Sequence, residues 1–194
     1  MSVSSDQMQL FAPSLPAGLT HREGLITSAE EQALIAAIDR APLEPFRFQG
    51  WLGKRCTASF GWRYDFDDRS FALTTPIPDW LLPVREQAAA FAGLRAHDLV
   101  QALLTRYDPG AGIGWHRDRP VFEHVVGVSL GAAATLRLRR RREDGGFERA
   151  SLHLVPGSIY HLAGEARHRF EHSIAEMAET RWSVTFRSLA QRPG

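Results

Sequence analysis

The chain has 194 residues, enough for one domain with a substantial core, and its 44% hydrophobic and 23% charged residues are ordinary for a globular protein. The formal net charge of +1 lacks the strongly basic balance that is typical of tight duplex binding. Cys56 is the single cysteine, which excludes an intramolecular disulfide and a cysteine-rich zinc site.

The N-terminal stretch MSVSSDQMQLFAPSLPAGL has no basic start followed by an apolar region, so it does not resemble a secretory signal. No apolar run is long enough to span a bilayer. We therefore expect a cytoplasmic protein that has no membrane partner.

The first 20 residues are polar and include Pro13 and Pro16, which predicts an irregular arm over residues 1–20. A helix is predicted next, because Ser28 and Glu31 have the spacing of a capping box. The apolar positions after this box share one helical face: Leu34, Ile35 and Ile38.

A second helix is predicted from Asp79 to about Gly93, with Pro83 tolerated in its first turn. Its buried side is expected to consist of four apolar residues at helical spacing: Leu81, Val84, Ala88 and Phe91.

From Leu99 onward the pattern changes to short apolar or alternating runs separated by glycine, proline or charged residues. The runs are 99–107, 113–118, 124–130, 134–140, 150–155, 158–162, 167–174 and 181–189. Many short strands at such spacing indicate a β-sandwich or barrel. We expect one domain over residues 21–194, with two N-terminal helices packed against the barrel.

The segment GIGWHRDRP contains the first candidate metal ligands, His116 and Asp118. Residues two apart on a strand share a face, so both side chains can reach one ion. His172 is the favoured third ligand, with His161 and His168 left open as rivals by spacing alone. Two imidazoles and one carboxylate are typical of non-haem Fe(II) oxygenases, although zinc with the same ligands is chemically possible.

The run Arg-Trp-Ser-Val-Thr-Phe-Arg at 181–187 alternates, so that Arg181 and Arg187 share one face of a strand with Ser183. A guanidinium is a natural bidentate partner of a carboxylate. Thr105 and Tyr107 are also two apart on a predicted strand, and the Tyr107 hydroxyl can serve the same carboxylate. The alternative is a surface strand with solvated arginines.

In this order along the chain, the runs RYDPGAGIGWHRD, VVGVSLG, HSI and RWSVTFR resemble the AlkB family of Fe(II)/2-oxoglutarate-dependent dioxygenases, over about residues 60–189. The resemblance implies a mainly β fold with flanking helices (α+β). Its double-stranded β-helix, or jelly-roll, core would occupy residues 99–190, after helices and a substrate lid over 21–98. Fe(II), 2-oxoglutarate and O₂ are the implied cofactors.

The resemblance also implies residue roles. His116, Asp118 and His172 match the iron ligands, and His172 is preferred to His168 because the family's distal histidine begins a His-Gly/Ser-Ile stretch. Five residues match the 2-oxoglutarate site: Arg181 with Tyr107 at the distal carboxylate, Arg187 near the metal end, and Thr105 and Ser183, where the family often has asparagine.

The segment FGWRYDF at 60–66 resembles the family's substrate lid, in which Trp62 and Tyr64 would flank an extruded base. The alternative is that both side chains pack a strand into the core.

The function implied is oxidative demethylation of alkylated nucleobases in DNA or RNA, in DNA alkylation repair or RNA modification. Alkylated DNA or RNA is the expected partner, and no protein partner is predicted. Arginines between 137 and 142 can contact phosphates, or can be the outer face of a barrel strand. The same chemistry on a protein side chain or small molecule is one alternative, and a non-catalytic nucleic-acid-binding barrel is another.

Overall fold

The computed structural model describes residues 15–48, 51–64 and 71–190. The helices in this part of the chain are α1 (Ser28–Arg40), α2 (Leu82–Ala92) and α3 (Gly164–His168). The strands are β1 (Leu19–Arg22), β2 (Glu44–Phe48), β3 (Trp51–Tyr64), β4 (Phe71–Leu73), β5 (Leu99–Tyr107), β6 (Ile113–His116), β7 (Phe122–Gly131), β8 (Ala134–Arg141), β9 (Phe147–Leu154), β10 (Ile159–Leu162), β11 (Glu171–Ile174) and β12 (Arg181–Leu189).

The strands form two antiparallel sheets. The larger sheet has the order β1-β10-β7-β12-β5-β3-β2, with β4 added to β3, and the smaller sheet has the order β6-β11-β8-β9. The sequence therefore predicts the mainly β architecture with flanking helices correctly.

Alternation along β12 divides the interior into two cores. Val184 and Phe186 belong to a cluster that packs the larger sheet against α1 and α2, with Ile38 and Leu81 among its fully buried members. The intervening β12 side chains point to the other side, where a second cluster joins the two sheets through residues such as Leu136 and Leu162. The polar face of β12 is thus directed between the sheets.

The first helix forms as predicted, but its capping box lies one residue earlier than the predicted one. Thr27, in an extended conformation, caps the helix, and Thr27 and Glu30 make the reciprocal hydrogen bonds of the capping box. The predicted pair, Ser28 with Glu31, was therefore wrong. The Glu31 carboxylate instead accepts a hydrogen bond from the Gly131 backbone N–H at 2.7 Å, which ties the helix to β7.

The second helix agrees closely with its prediction. A single 3₁₀ turn at Asp79–Leu81 leads into α2, which ends at Gly93 in the left-handed conformation with φ of 69°. Leu81, Val84 and Ala88 are buried, and Phe91 packs partly against the same core. The left-handed C-cap explains why glycine ends this helix.

Strands before residue 99 were missed. β3 pairs with β5 and with β2, and β1 pairs with β10, so these segments extend the larger sheet. The picture of two helices followed by a barrel was wrong in that respect, and β1 begins within the predicted arm. Residues 1–14 lie outside the described residues. The missed strands are short or irregular in their alternation, which weakens the pattern that identifies a strand.

Two predicted strand runs were too long. The run 113–118 is a strand only to His116, and the run 167–174 contains the end of α3 before β11 begins at Glu171. Among the described residues, no helix is long and apolar enough to cross a membrane.

Candidate active site

Three side chains meet where the smaller sheet ends. His116, the last residue of β6, lies opposite His172 of β11 in the antiparallel register, and Asp118 follows two residues after the strand. Their potential ligand atoms all lie within 4.8 Å of one another, and the two imidazole centroids are 4.3 Å apart. Strand pairing between separate stretches of sequence thus produces the two-histidine, one-carboxylate set that was predicted.

Hydrogen bonds orient two of these side chains. His116 Nδ1 lies 2.9 Å from the Gly114 carbonyl oxygen, so a proton on Nδ1 leaves the Nε2 lone pair free. Asp118 Oδ1 accepts from Arg187 Nε at 2.8 Å and lies 2.6 Å from Arg187 Nη2. Asp118 Oδ2 is buried and has no hydrogen-bond partner among the described residues. An unsatisfied carboxylate oxygen beside two imidazoles fits a divalent iron ion.

The electrostatics favour the ligating form of each group. Burial, reinforced by the neighbouring His116, lowers the pKa of His172 to about 3. Burial also lowers the pKa of His116, and the charges of Arg187 and Arg55 add to this effect. Burial by itself would raise the pKa of Asp118, but the Arg187 guanidinium and the two histidines hold it well below its ordinary value. Neutral imidazoles and an ionised carboxylate are the states that bind a metal.

The two rival histidines lie elsewhere. His168 Nε2 is 3.0 Å from the Glu123 carboxylate, and His161 Nε2 is 2.9 Å from His124 Nδ1. Neither belongs to the cluster of metal-type ligands found among the described residues. The tertiary structure therefore distinguishes His172 from alternatives that spacing left open.

Arg181 lies deeper between the sheets and is only 1% exposed. Its Nη2 donates to Ser129 Oγ at 3.2 Å, while Nε and Nη1 are buried with no hydrogen-bond partner among the described residues. The guanidinium carbon is 5.2 Å from the centroid of the Tyr107 ring. A buried cation with two unsatisfied donors is costly unless a ligand carboxylate completes it, so the residues present fit a dicarboxylate.

One cavity joins these groups. Its lining includes every predicted metal and 2-oxoglutarate residue: Thr105, Tyr107, His116, Asp118, His172, Arg181, Ser183 and Arg187. Trp62 is not part of this lining. Its carbonyl oxygen accepts from Gln101 Nε2 at 2.6 Å, and its strand partner is Leu73. Tyr64 lies at the end of β3, and its side chain is outside the described residues. Base stacking by Trp62 and Tyr64 stays a prediction.

The sequence interpretation missed several lining residues, among them Arg55 and Tyr160. Burial raises the pKa of Tyr160 to about 12, so its hydroxyl stays protonated. Gly127 makes room for this ring, since a Cβ there would lie 2.3 Å from Tyr160 Cζ. A glycine inside the apolar run VVGVSLG was the available signal, because glycine within a strand often marks a close approach.

The family model described as the 2OG-Fe(II) oxygenase superfamily matches residues 23–188. The alpha-ketoglutarate-dependent dioxygenase AlkB of Salmonella typhimurium is 30% identical over 153 residues, with 69% of each chain covered. The chain belongs to the AlkB family of Fe(II)/2-oxoglutarate-dependent dioxygenases. This assignment confirms the resemblance, and with it iron, 2-oxoglutarate and O₂ as the family's cofactors.

Two further comparisons concern the share of a longer relative that the chain matches and the fold. The tRNA (carboxymethyluridine(34)-5-O)-methyltransferase alkbh8 of Xenopus tropicalis is 26% identical, but the chain spans only 26% of that protein's length. The solved structure of OsALKBH1 matches with a TM-score of 0.68 at 14% identity, covering 90% of this chain and 98% of that chain. The structural match confirms the jelly-roll fold predicted from the sequence.

Proposed function

We propose that this member of the AlkB family oxidatively demethylates alkylated nucleobases in DNA or RNA. The observation that carries the proposal is the single cavity in which the His116, Asp118 and His172 triad lies beside the unsatisfied guanidinium of Arg181. Oxidation that depends on 2-oxoglutarate requires a set of iron ligands and a cation that can bind a carboxylate, and this cavity contains both.

His116, Asp118 and His172 would hold Fe(II) as its protein ligands. The iron, when bound, supplies oxidation of a substrate C–H bond coupled to decarboxylation of 2-oxoglutarate to succinate and CO₂. Oxidation of an N-methyl group releases formaldehyde. Arg187 would act as a positioning residue, because its contacts with Asp118 Oδ1 fix the carboxylate.

Arg181 would bind the distal carboxylate of 2-oxoglutarate through its free Nε and Nη1 donors, and the hydroxyl of Tyr107, whose ring lies beside Arg181, would be a second donor. Thr105 and Ser183 are partners across β5 and β12 and would supply hydroxyl groups along the cosubstrate. Their position between the sheets keeps the cosubstrate away from bulk water.

Support for a nucleic-acid substrate comes from the relatives and from the lid segment. The Xenopus relative is named for a tRNA uridine, and AlkB-family membership favours alkylated bases. Trp62 and Tyr64 would stack against the extruded base, as their spacing in FGWRYDF predicts.

Formaldehyde and succinate release, measured with Fe(II), 2-oxoglutarate and a panel of methylated DNA and RNA oligonucleotides, tests the proposal. We expect release from the wild-type protein and complete loss in His116→Ala, Asp118→Ala and His172→Ala variants that remain folded. His168→Ala is the matched control, since this histidine pairs with Glu123 outside the triad.

The panel separates the alternatives. Succinate formation that no oligonucleotide stimulates would point to a protein side chain or a small molecule as substrate. Absence of both iron binding and 2-oxoglutarate turnover would favour the alternative of a non-catalytic nucleic-acid-binding barrel. Full activity in either His116→Ala or Asp118→Ala would contradict the ligand assignment.

A further inference from the structure

A third arginine of the cavity, Arg55 on β3, has no role in the site described so far. Its side chain is half-buried and lines the cavity together with Phe46, whose ring centroid lies 3.8 Å from the guanidinium carbon. Among the described residues it makes neither an ion pair nor a hydrogen bond, and its charge acts on the nearby His116. Arg55 is therefore a cation that lines the active-site cavity and has no anionic partner in the part of the chain that the structure describes.

The other two arginines of the cavity already have partners or an assigned ligand. Arg187 is paired with the Asp118 carboxylate, and Arg181 lies on Ser129, where the proposed function assigns it to 2-oxoglutarate. The described lining thus carries three guanidinium groups and one carboxylate, an excess of two positive charges with the histidines neutral. Fe(II) and 2-oxoglutarate carry equal and opposite charges, so both together leave this excess unchanged.

The surroundings of Arg55 make a guanidinium without a bound anion unfavourable. Burial lowers the pKa of its guanidinium, and the Tyr107 hydroxyl opposes this shift only in part. An arginine side chain nevertheless remains charged in proteins, so the loss of water around it must be compensated by a partner. Phe46 covers the guanidinium through a cation–π contact but offers no acceptor. The N–H groups are left for an acceptor that enters the cavity.

We propose that Arg55 binds an oxyanion, either a carboxylate or a phosphate, that the primary substrate carries next to the position that is oxidised. The inference rests on the proposed function, since a base that is oxidised at the iron must enter this cavity. Guanidinium groups bind both kinds of oxyanion in a bidentate manner, so the shared chemistry is a planar pair of acceptor oxygens. In a modified nucleotide the oxyanion can belong to the backbone phosphate or to a substituent on the base.

Two pairs of probes distinguish these sources in the protein loaded with Mn(II) and 2-oxoglutarate, where turnover does not interfere with binding. The first pair is N6-methyladenosine 5′-monophosphate and N6-methyladenosine. The second is 5-carboxymethyluridine and its neutral amide, 5-carbamoylmethyluridine. Calorimetric titration should show that the wild-type protein binds the charged member of one pair at least about tenfold more tightly than the neutral member, as a charge-assisted hydrogen bond predicts.

Arg55→Met should reduce this ratio to about one while leaving the affinity for the neutral probe and for 2-oxoglutarate unchanged. Arg55→Lys should give an intermediate ratio, because lysine keeps the charge but lacks the bidentate geometry. Lys54→Met is the matched control, since it removes a positive charge from the adjacent position, whose side chain is 71% exposed. The control should retain the wild-type ratio.

A preference for the monophosphate supports a phosphate partner, and a preference for the carboxymethyl probe supports a carboxylate. A wild-type protein that binds neither charged probe more tightly, or an Arg55→Met variant that keeps the preference, overturns the proposal. Loss of 2-oxoglutarate affinity in Arg55→Met also overturns it, because Arg55 would then serve the cosubstrate. The oxygenase function is tested separately by the His116 and Asp118 variants, so failure of one proposal does not imply failure of the other.

Discussion

The two oxygens of the Asp118 carboxylate have different surroundings. Oδ1 is held by Arg187, whereas Oδ2 is buried without a hydrogen-bond partner among the described residues. Arg187 is itself fixed by Gln101 Oε1 at 3.0 Å, and Gln101 Nε2 donates to the Trp62 carbonyl oxygen. A chain of contacts therefore connects the candidate metal ligand to Trp62, within the predicted lid segment 60–66.

Substitution of Arg187 by methionine tests this arrangement. The variant should keep all three candidate ligands but lose the group that orients Asp118, so the affinity for Mn(II) should fall by roughly 10- to 100-fold, as is typical when a partner of a metal ligand is removed. Titration of Mn(II) followed by electron paramagnetic resonance measures the loss. Arg142→Met is the control, because Arg142 pairs with Asp144 on the surface. Unchanged affinity in Arg187→Met would contradict the positioning role.

At the scale of elements, the site depends on how β7 pairs with β10 and β12 in the larger sheet. Gly127 on β7 is paired with Tyr160 on β10 and with Thr185 on β12. The tyrosine ring occupies the space where a side chain on residue 127 would lie. The shape of the cavity beside Arg181 thus depends on one glycine.

The variant Gly127→Ala should lower the free energy of unfolding by about 1–3 kcal/mol, because the new Cβ overlaps the Tyr160 ring in a closely packed region. Urea denaturation measures this change. Gly114→Ala on β6 is the control, since no atom outside its chain neighbours lies within 4 Å of a Cβ there. Adding Tyr160→Leu to Gly127→Ala should restore part of the stability, and equal stability of the two single glycine variants would disprove the close approach.

A second feature at the scale of elements is the set of ion pairs made by the arginines of β8. Arg139 pairs with Glu171 at 2.7 Å, Arg140 with Glu148 and Glu165, and Arg142, just after the strand, with Asp144. Arg139 also lies over the Trp115 ring at 4.3 Å. Of the two interpretations offered by the sequence, these contacts favour the outer face of a barrel strand, because the carboxylates offset much of the charge available to phosphates.

For the whole molecule, the pair formed by His124 and His161 links folding to pH. Burial, together with the neighbouring His124, lowers the pKa of His161 to about 4, against 6.5 for an ordinary histidine. The unfolded chain therefore binds a proton at this residue below about pH 6.5, while the folded protein does not until about pH 4. The contribution of His161 to stability is complete above pH 6.5 and is lost as the pH falls toward 4.

In metal-free protein, His161→Gln should reduce the slope of unfolding free energy against pH between 6.5 and 4 by at most about 1.4 kcal/mol per pH unit. Urea denaturation at several pH values gives both slopes. His97→Gln is the control, because the His97 side chain is 70% exposed. An unchanged slope in His161→Gln would show that this histidine is protonated equally in both states.

Local patterns determined much of this protein. The alternation of 181–189 predicts β12 with its correct bounds, and the helical spacing around Leu81 and Ala88 predicts α2, because burial on one face leaves a periodic trace in the sequence. The order of motifs along the chain determined the family. The irregular strand β3, and with it the position of Arg55, left no comparable pattern.

Other features were decided only by the tertiary structure. His172, rather than His161 or His168, faces His116 because β11 pairs with β6 in one particular register. The closeness of Arg55 to the cavity and the fit of Tyr160 against Gly127 likewise depend on which strands are neighbours in the sheets. Spacing along a chain constrains residues within one element, whereas contacts between elements depend on packing that no single segment encodes.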